Sequence, residues 1–408
     1  MGKRRRRIGI GLVGPGFVAA HHLDAVRRLG DIDVIAIAAS SEAAGERKAA
    51  ELRVDTAYGS YQELVNDPRI EVVHNTTPNY LHFDVSMAAI EAGKHVISDK
   101  PLAMTSAECS ALRDAAEAAS VVNVVTFNYR GNPMVQQARL MAEKNDVGEP
   151  FFLHGRYLQD WMADDHVYSW RSDPKKGGTS SALADIGSHW CDLAQHVSGL
   201  KIVAVLAELT TVIKTRYASV VPQEAFSGKE VKAVNPVTIA SEDLASVLLR
   251  FENGAKGCLS VGQVTAGHKN GLEIELNGRT GSLRWNQENQ NELWVGRYAT
   301  CNSVITKDPS LLLEGARRYV HLPAGHQEGW SDGFRNVIDD AYTWIRTNGN
   351  PDARPATICT FADACQICAV IEAMLRSHQA GGVWETVTED ETINSAMRTG
   401  LRGERAAV

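Results

Sequence analysis

At 408 residues the chain is longer than one ordinary core supports, and it is expected to form two domains, 1–130 and 131–408. Its apolar residues, 44% of the total, are too dispersed to span a bilayer, so a cytoplasmic rather than a membrane protein is expected. The net charge of -7 gives no electrostatic reason to bind nucleic acid.

The basic run Lys3-Arg4-Arg5-Arg6-Arg7 reads as a solvated tail, because the apolar stretch behind it, 8–13, is too short for a signal h-region. That stretch is a strand pattern. It runs into Gly14-Pro15-Gly16-Phe17-Val18-Ala19 and then a helix to about residue 29. The turn matches G-x-G-x-x-A, whose small residues let the backbone approach a pyrophosphate on the positive end of a helix. The next strand, 33–38, ends at Ala39-Ser40-Ser41, about where an acid would bind a ribose hydroxyl. No acid stands there. A 2′-phosphate is then not repelled and Ser40 and Ser41 offer hydroxyls to it, so NAD and NADP both remain open, with the balance toward NADP.

Helices at 42–52 and from residue 61 precede a strand at 71–75, which delivers Thr76-Thr77-Pro78-Asn79-Tyr80-Leu81-His82. A polar loop at the carboxyl end of a parallel strand is a candidate cofactor wall. A helix at 83–92 and a strand at 95–98 then bring Asp99-Lys100-Pro101 to the same edge. A lysine there can hydrogen-bond a substrate oxygen during hydride transfer. The helix 107–119 and the strand 121–127 complete this half, which closes on Asn128-Tyr129-Arg130.

A helix at 133–144 follows, and from residue 151 the texture turns to strands at 151–159, 203–211, 244–251, 256–264, 271–277 and 281–285. Their short links predict a largely antiparallel sheet, with 219–236 as a flap or subunit contact. The loop 160–171 is polar and aromatic, and Trp161, Tyr168 and Arg171 suit a sugar ring, which needs stacking and hydrogen-bond partners. After the Gly177-Gly178 pair a helix carries Ile186, Trp190, Leu193 and Val197 on one face and Asp185, His189, Asp192 and His196 beside them. Asp185 one turn before His189 forms an acid/base pair or a plain structural one. Helices at 332–347 and 360–378 end the pattern, with a short helix in the tail beyond residue 385. Of the seven scattered cysteines only Cys365 and Cys368 form a CxxC, on a helical pattern without a partner pair. Buried thiols, a reducing compartment and no metal are expected.

The GxGxxA turn, the loop Thr77–His82, the pair Lys100-Pro101 and Asp185-xxx-His189 after a double glycine together resemble the glucose-fructose oxidoreductase / inositol dehydrogenase / MocA family over nearly the whole chain. The resemblance implies a Rossmann domain followed by an α/β domain with an open, mainly antiparallel sheet. It implies NAD(P)-dependent hydride transfer at a sugar, cyclitol or glycoside, with Lys100, Asp185 and His189 as a catalytic triad. Gly14, Gly16, Phe17, Val18, Thr77, Asn79, His82 and Asp99 would hold the dinucleotide alongside Ser40 and Ser41. Tyr129, Arg130 and His326 join Trp161, Tyr168, Arg171 and His189 as candidate substrate residues. The departures from the family are Asp99 in place of a glutamate and Ala39 or Ser40 in place of an acid. The open sheet face implies a homodimer or homotetramer. A redox-assisted glycoside hydrolase and a non-catalytic dinucleotide-sensing regulator are the alternative functions.

Overall fold

The structure, a computed structural model, describes residues 6–219 and 233–388. Six strands near the N-terminus, β1 (Ile8–Val13), β2 (Ile32–Ala38), β3 (Ala57–Tyr58), β4 (Val72–Asn75), β5 (His95–Ser98) and β6 (Asn123–Val125), form one parallel sheet in the order β3-β2-β1-β4-β5-β6. β1 is buried along its whole length, as a strand covered on both faces must be. The strand order reverses between β1 and β4, and in such sheets the crevice beyond the carboxyl ends at that point takes the ligand. The sequence indicated this strand set apart from β3, a two-residue edge too short to leave a pattern.

A second sheet has nine strands. From one edge these are Ser303–Thr306, Glu292–Arg297, Gly281–Asn286, Gly271–Gly278, Pro150–Leu158, Lys256–Gly262, Leu244–Phe251, Ile202–Thr210 and Glu385–Thr386. All neighbours are antiparallel except Pro150–Leu158 with Lys256–Gly262, which run parallel. In Leu244–Phe251 burial alternates strictly: Ala245, Val247, Leu249 and Phe251 face the core, while Ser246, Leu248 and Arg250 face out. Helix Phe361–Gln379 packs against Ile202–Thr210 from the core side.

The two sheets are knitted together by chain-distant helices. Trp330–Ile345 lies against the N-terminal helix Phe17–Leu29, and its Phe334, Ile338 and Tyr342 share a core with Ile8, Ile10, Val26 and Ile97. Phe361–Gln379 packs on Ser106–Ala118, whose N-cap Thr105 accepts from Glu108 N. Part of the first sheet's cover is therefore supplied by residues more than 300 positions later.

Several expectations shift on the structure. The last two arginines of the basic run are not free in solvent, since Arg6 pairs with Glu71 and Arg7 with Asp33, each at 2.6 Å. Residues 3–5 lie outside the described part. The helix after β4 starts at Asn79, within the stretch expected as loop. In the expected flap, Thr215–Ser219 and Ala233–Thr238 pair as an antiparallel hairpin, and residues 220–232 are outside the described part. The expected tail helix also falls outside it, beyond the short strand Glu385–Thr386.

Candidate active site

A cleft of about 1070 Å³ opens at the switch point between β1 and β4 and runs on to the second sheet. At its nucleotide end the chain turns sharply after β1. Gly14 has φ +84°, and a Cβ there would meet Thr77 Cα at 2.6 Å, so only glycine lets this turn lie on the β4 exit loop. Thr76 Oγ1 ties the two together by donating to Val13 O (2.9 Å) and Gly14 O (2.8 Å). Gly16 precedes helix Phe17–Leu29, whose N-terminus has no side-chain cap and no acid in its first turn. A Cβ on Gly16 would meet nothing nearer than Gly14 O at 4.0 Å, so space lies open over the start of the helix. Those features fit a dinucleotide pyrophosphate.

Phe17, Val18, Ser40, Thr77, Asn79 and Asp99 line this end. Lys48 and the segment Gly59–Gln62 join them. The latter left no signal in the sequence, because β3 places it. Two expected cofactor residues are elsewhere. Ser41 caps the following helix, accepting from Ala44 N at 3.3 Å. His82 is buried, with its ring nitrogens 2.6 Å from Pro101 O and 2.7 Å from Thr77 O, so it braces the two loops from beneath.

At the other end Lys100 Nζ donates to both Asp185 O (2.6 Å) and Asp185 Oδ1 (2.8 Å). Gln263 Nε2 donates to Asp185 Oδ2 at 2.7 Å, and Arg171 Nε stands 3.3 Å from Oδ1. Burial pushes the Asp185 carboxyl up, but Lys100, Arg171 and the two hydrogen bonds outweigh it and hold the group well below the usual carboxylate range. The sequence expectation of Asp185 holding His189 is therefore corrected. Both line the cleft, yet the carboxylate is engaged by a charged ammonium and an amide, and a charged donor binds about twice as strongly as a neutral one. The helix also starts irregularly. Leu183–Gly187 is a π turn, of the kind that recurs at functional sites, ahead of the regular Ser188–Ser198.

His189 is nearly buried, and its Nδ1 has no hydrogen-bond partner. Its ring meets the edges of Phe127 (5.5 Å) and Tyr129 (5.2 Å) and tilts against Tyr157 (6.2 Å). Burial, reinforced by the Lys100 charge, pushes its pKa well below the usual histidine value against the pull of Asp185. The imidazole is thus held neutral at rest, with a ring nitrogen that carries no proton.

Around it runs a hydrogen-bonded polar set that sequence reasoning missed apart from Tyr129. The Tyr129 and Tyr157 hydroxyls are 2.7 Å apart, and Asn270 Oδ1 accepts from Tyr157 (2.7 Å) and from Gln159 (2.9 Å). The only sequence signal was strand alternation putting Tyr157 and Gln159 on one face. Gln263 lies one residue past Lys256–Gly262, inside the stretch expected as strand, and Asn270 comes from the link before Gly271–Gly278 and carried no pattern. Glu242 was missed as well. Its Oε1 accepts from Ser180 Oγ (2.7 Å), Ser181 N (2.9 Å) and Leu183 N (2.9 Å), fixing the start of the turn that bears Asp185. The double glycine serves that start. A Cβ on Gly177 would meet Arg171 O at 2.3 Å, and Gly178 has φ +92°.

Of the expected substrate residues, Tyr129, Arg171 and His189 line the cleft, with the Arg171 guanidinium stacked 4.5 Å from the Trp170 ring centre. Arg130 does not. It is buried, binds both carboxylate oxygens of Asp192 and donates to Ile358 O. Asp192 and His196, the latter against Gln136 at 2.9 Å, are likewise structural. Trp161 lies outside the lining and donates to Gln159 Oε1, and half-buried Tyr168 is outside it too. His326 is exposed, its ring near Ala324 O, whereas Trp330 four positions on reaches the cleft. His326→Ala is therefore expected to leave kcat and KM within about twofold, as for surface changes generally. Steady-state kinetics test this, and a tenfold rise in KM would return His326 to the site.

Comparison with known proteins places these features in context. Residues 8–127 match the family model described as an oxidoreductase family with an NAD-binding Rossmann fold, and residues 135–284 match the GFO/IDH/MocA C-terminal domain. Levoglucosan dehydrogenase of Pseudarthrobacter phenanthrenivorans is 33% identical over 304 residues, 71% of this chain and 76% of that protein. The scyllo-inositol 2-dehydrogenase (NADP(+)) of Bacillus subtilis is 35% identical over 142 residues, covering 34% and 38%. A structure of levoglucosan dehydrogenase in complex with NADH and levoglucosan superposes with a TM-score of 0.82 at 28% identity, covering 94% of this chain and all of that one.

Proposed function

The chain belongs to the Gfo/Idh/MocA family of oxidoreductases, and from that premise we propose that it is an NAD(P)-dependent dehydrogenase or reductase acting on a secondary alcohol or ketone of a sugar, cyclitol or glycoside. The observation that carries this reading is the convergence of Lys100 Nζ, Asp185 and neutral His189 in the cleft that begins at the uncapped helix N-terminus. When bound, the nicotinamide supplies the hydride acceptor or donor.

The protein's own part is to position the substrate and move the proton. Tyr129, Trp170 and Arg171 shape the wall against which the ring packs. His189 takes the hydroxyl proton, and its low proton affinity at rest means that no prior deprotonation is needed. Lys100, aimed by Asp185, donates to the substrate oxygen and stabilises the negative charge that develops there. Ketone reduction uses the same groups with the proton returned. Residues 1–130 and 131–408 form the nucleotide and substrate units in this reading. The outer sheet face, where Leu248 is 48% exposed, suits a homodimer or homotetramer contact in the cytoplasm.

The test is turnover of sugars and cyclitols, levoglucosan and inositols among them, with each nucleotide, followed by the absorbance of reduced nicotinamide. No turnover with any polyol, together with no binding of either nucleotide, would sink the proposal. The relatives include one crystallised with NADH and one named for NADP(+), so cofactor choice rests on local residues. Ser40 and Lys48 line the end of β2 and no acid stands among Ala39, Ser40 and Ser41, which favours a 2′-phosphate. Ser40→Asp is expected to shift the NADP/NAD ratio of kcat/KM toward NAD by about tenfold or more, the effect of a like charge near the phosphate. An unchanged ratio would show that the ribose is read elsewhere.

A further inference from the structure

We infer that Cys109 and Cys368 form a modification site of their own, a dithiol that a hydroperoxide closes to a reversible disulfide. The CxxC at 365 and 368 gave no partner in sequence, but the fold supplies one. Cys109 on helix Ser106–Ala118 places its Sγ 2.9 Å from Cys368 Sγ on helix Phe361–Gln379, within about 1 Å of bonding distance. Cys365 also lies against Cys109 and is buried.

Access comes from a second cavity, of about 590 Å³, on the far side of the Lys100-Pro101 loop. Cys368 stands in its wall with Leu102, Met104, Phe127, Ile367 and Ile371, and Glu108, Glu372 and Arg376 also line it, so the approach is mainly but not wholly apolar. Cys368 is half-buried, whereas Cys109 is sealed behind it. That asymmetry sets the order of events, because burial and the neighbouring sulfurs raise the Cys109 thiol well above its usual range. Cys368 sulfur attacks the terminal peroxide oxygen, the O–O bond breaks, and an alcohol leaves with the thiol proton, giving a sulfenic acid. Cys109 sulfur then attacks the Cys368 sulfur, the S–O bond breaks, and water leaves with the Cys109 proton. Two thiols lose two electrons and the hydroperoxide gains them.

The bond joins the helix that follows the Lys100 loop to a helix of the second half, across 259 positions of sequence. Phe127 forms part of the same cavity wall and also meets the His189 ring, so the cavity that Cys368 borders reaches to one side chain from His189.

The full chain, reduced and freed of reductant, is treated with tert-butyl hydroperoxide and analysed by intact mass and non-reducing peptide mapping. Loss of two hydrogens, a linked Cys109–Cys368 peptide and a raised Tm, all reversed by dithiothreitol, are expected. Cys365→Ser should keep the bond and Cys368→Ser should lose it. Exposed Cys301 serves as internal control. Oxidation of Cys301 without the mass loss, or a bond mapped to Cys365, would overturn the assignment.

Discussion

Lys100→Ala lowers kcat by about 10²–10⁴-fold while the dissociation constant for the nucleotide stays within a few-fold, the signature of a group used in proton transfer and charge stabilisation. Lys100 is the cation held by Asp185 in the cleft, and its loss removes the donor to the substrate oxygen and leaves Asp185 with Gln263 and Arg171 alone. His189→Ala has a similar cost. The double variant loses little more than either single one, because the two residues act on one proton transfer as a unit. Stopped-flow measurement of the chemical step and fluorescence titration of the nucleotide separate the two quantities. Full activity in either variant would remove that residue from the mechanism.

Arg130→Ala has the largest expected effect on stability, about 3–5 kcal/mol, because it strands a buried carboxylate. The Arg130 side chain is 10% exposed and that of Asp192 only 2%, so water cannot replace the lost partner. The Ile358 carbonyl loses its donor as well. Urea denaturation of wild type and variant gives the difference, and Asp192→Asn should lose part of the same energy. The folded fraction of the variant should keep its KM. A raised KM with unchanged stability would make Arg130 a substrate residue after all.

The glycine turn was legible because its requirement is local. A strand, a backbone at positive φ and a helix start are consecutive in the chain, so Gly14 and Gly16 announce them together. Lys100 was legible for a related reason: it comes two residues after the end of β5, and a strand's carboxyl end fixes which edge the residues just beyond it reach. His326 shows the limit. A loop has no periodicity to aim its side chains, and here the fold brings Trp330 to the cleft and leaves His326 in solvent.

The amino-acid sequence by itself determined the class of fold, the parallel strands β1, β2, β4, β5 and β6 and the placing of Asp185 one turn before His189, since periodicity and short connections are properties of neighbouring residues; that Lys100 joins them was implied by the family resemblance alone. Only the tertiary structure decided how those groups are wired. Lys100 and Gln263 compete successfully for the Asp185 carboxylate, His189 is left against three aromatic rings, Arg130 turns inward to Asp192, and Cys109 finds Cys368. Each of these contacts joins residues 32 to 259 positions apart, and the Asp185 ones depend further on which of several donors is best placed and best charged. That is settled by packing, which brings the competitors together, and not by spacing along the chain.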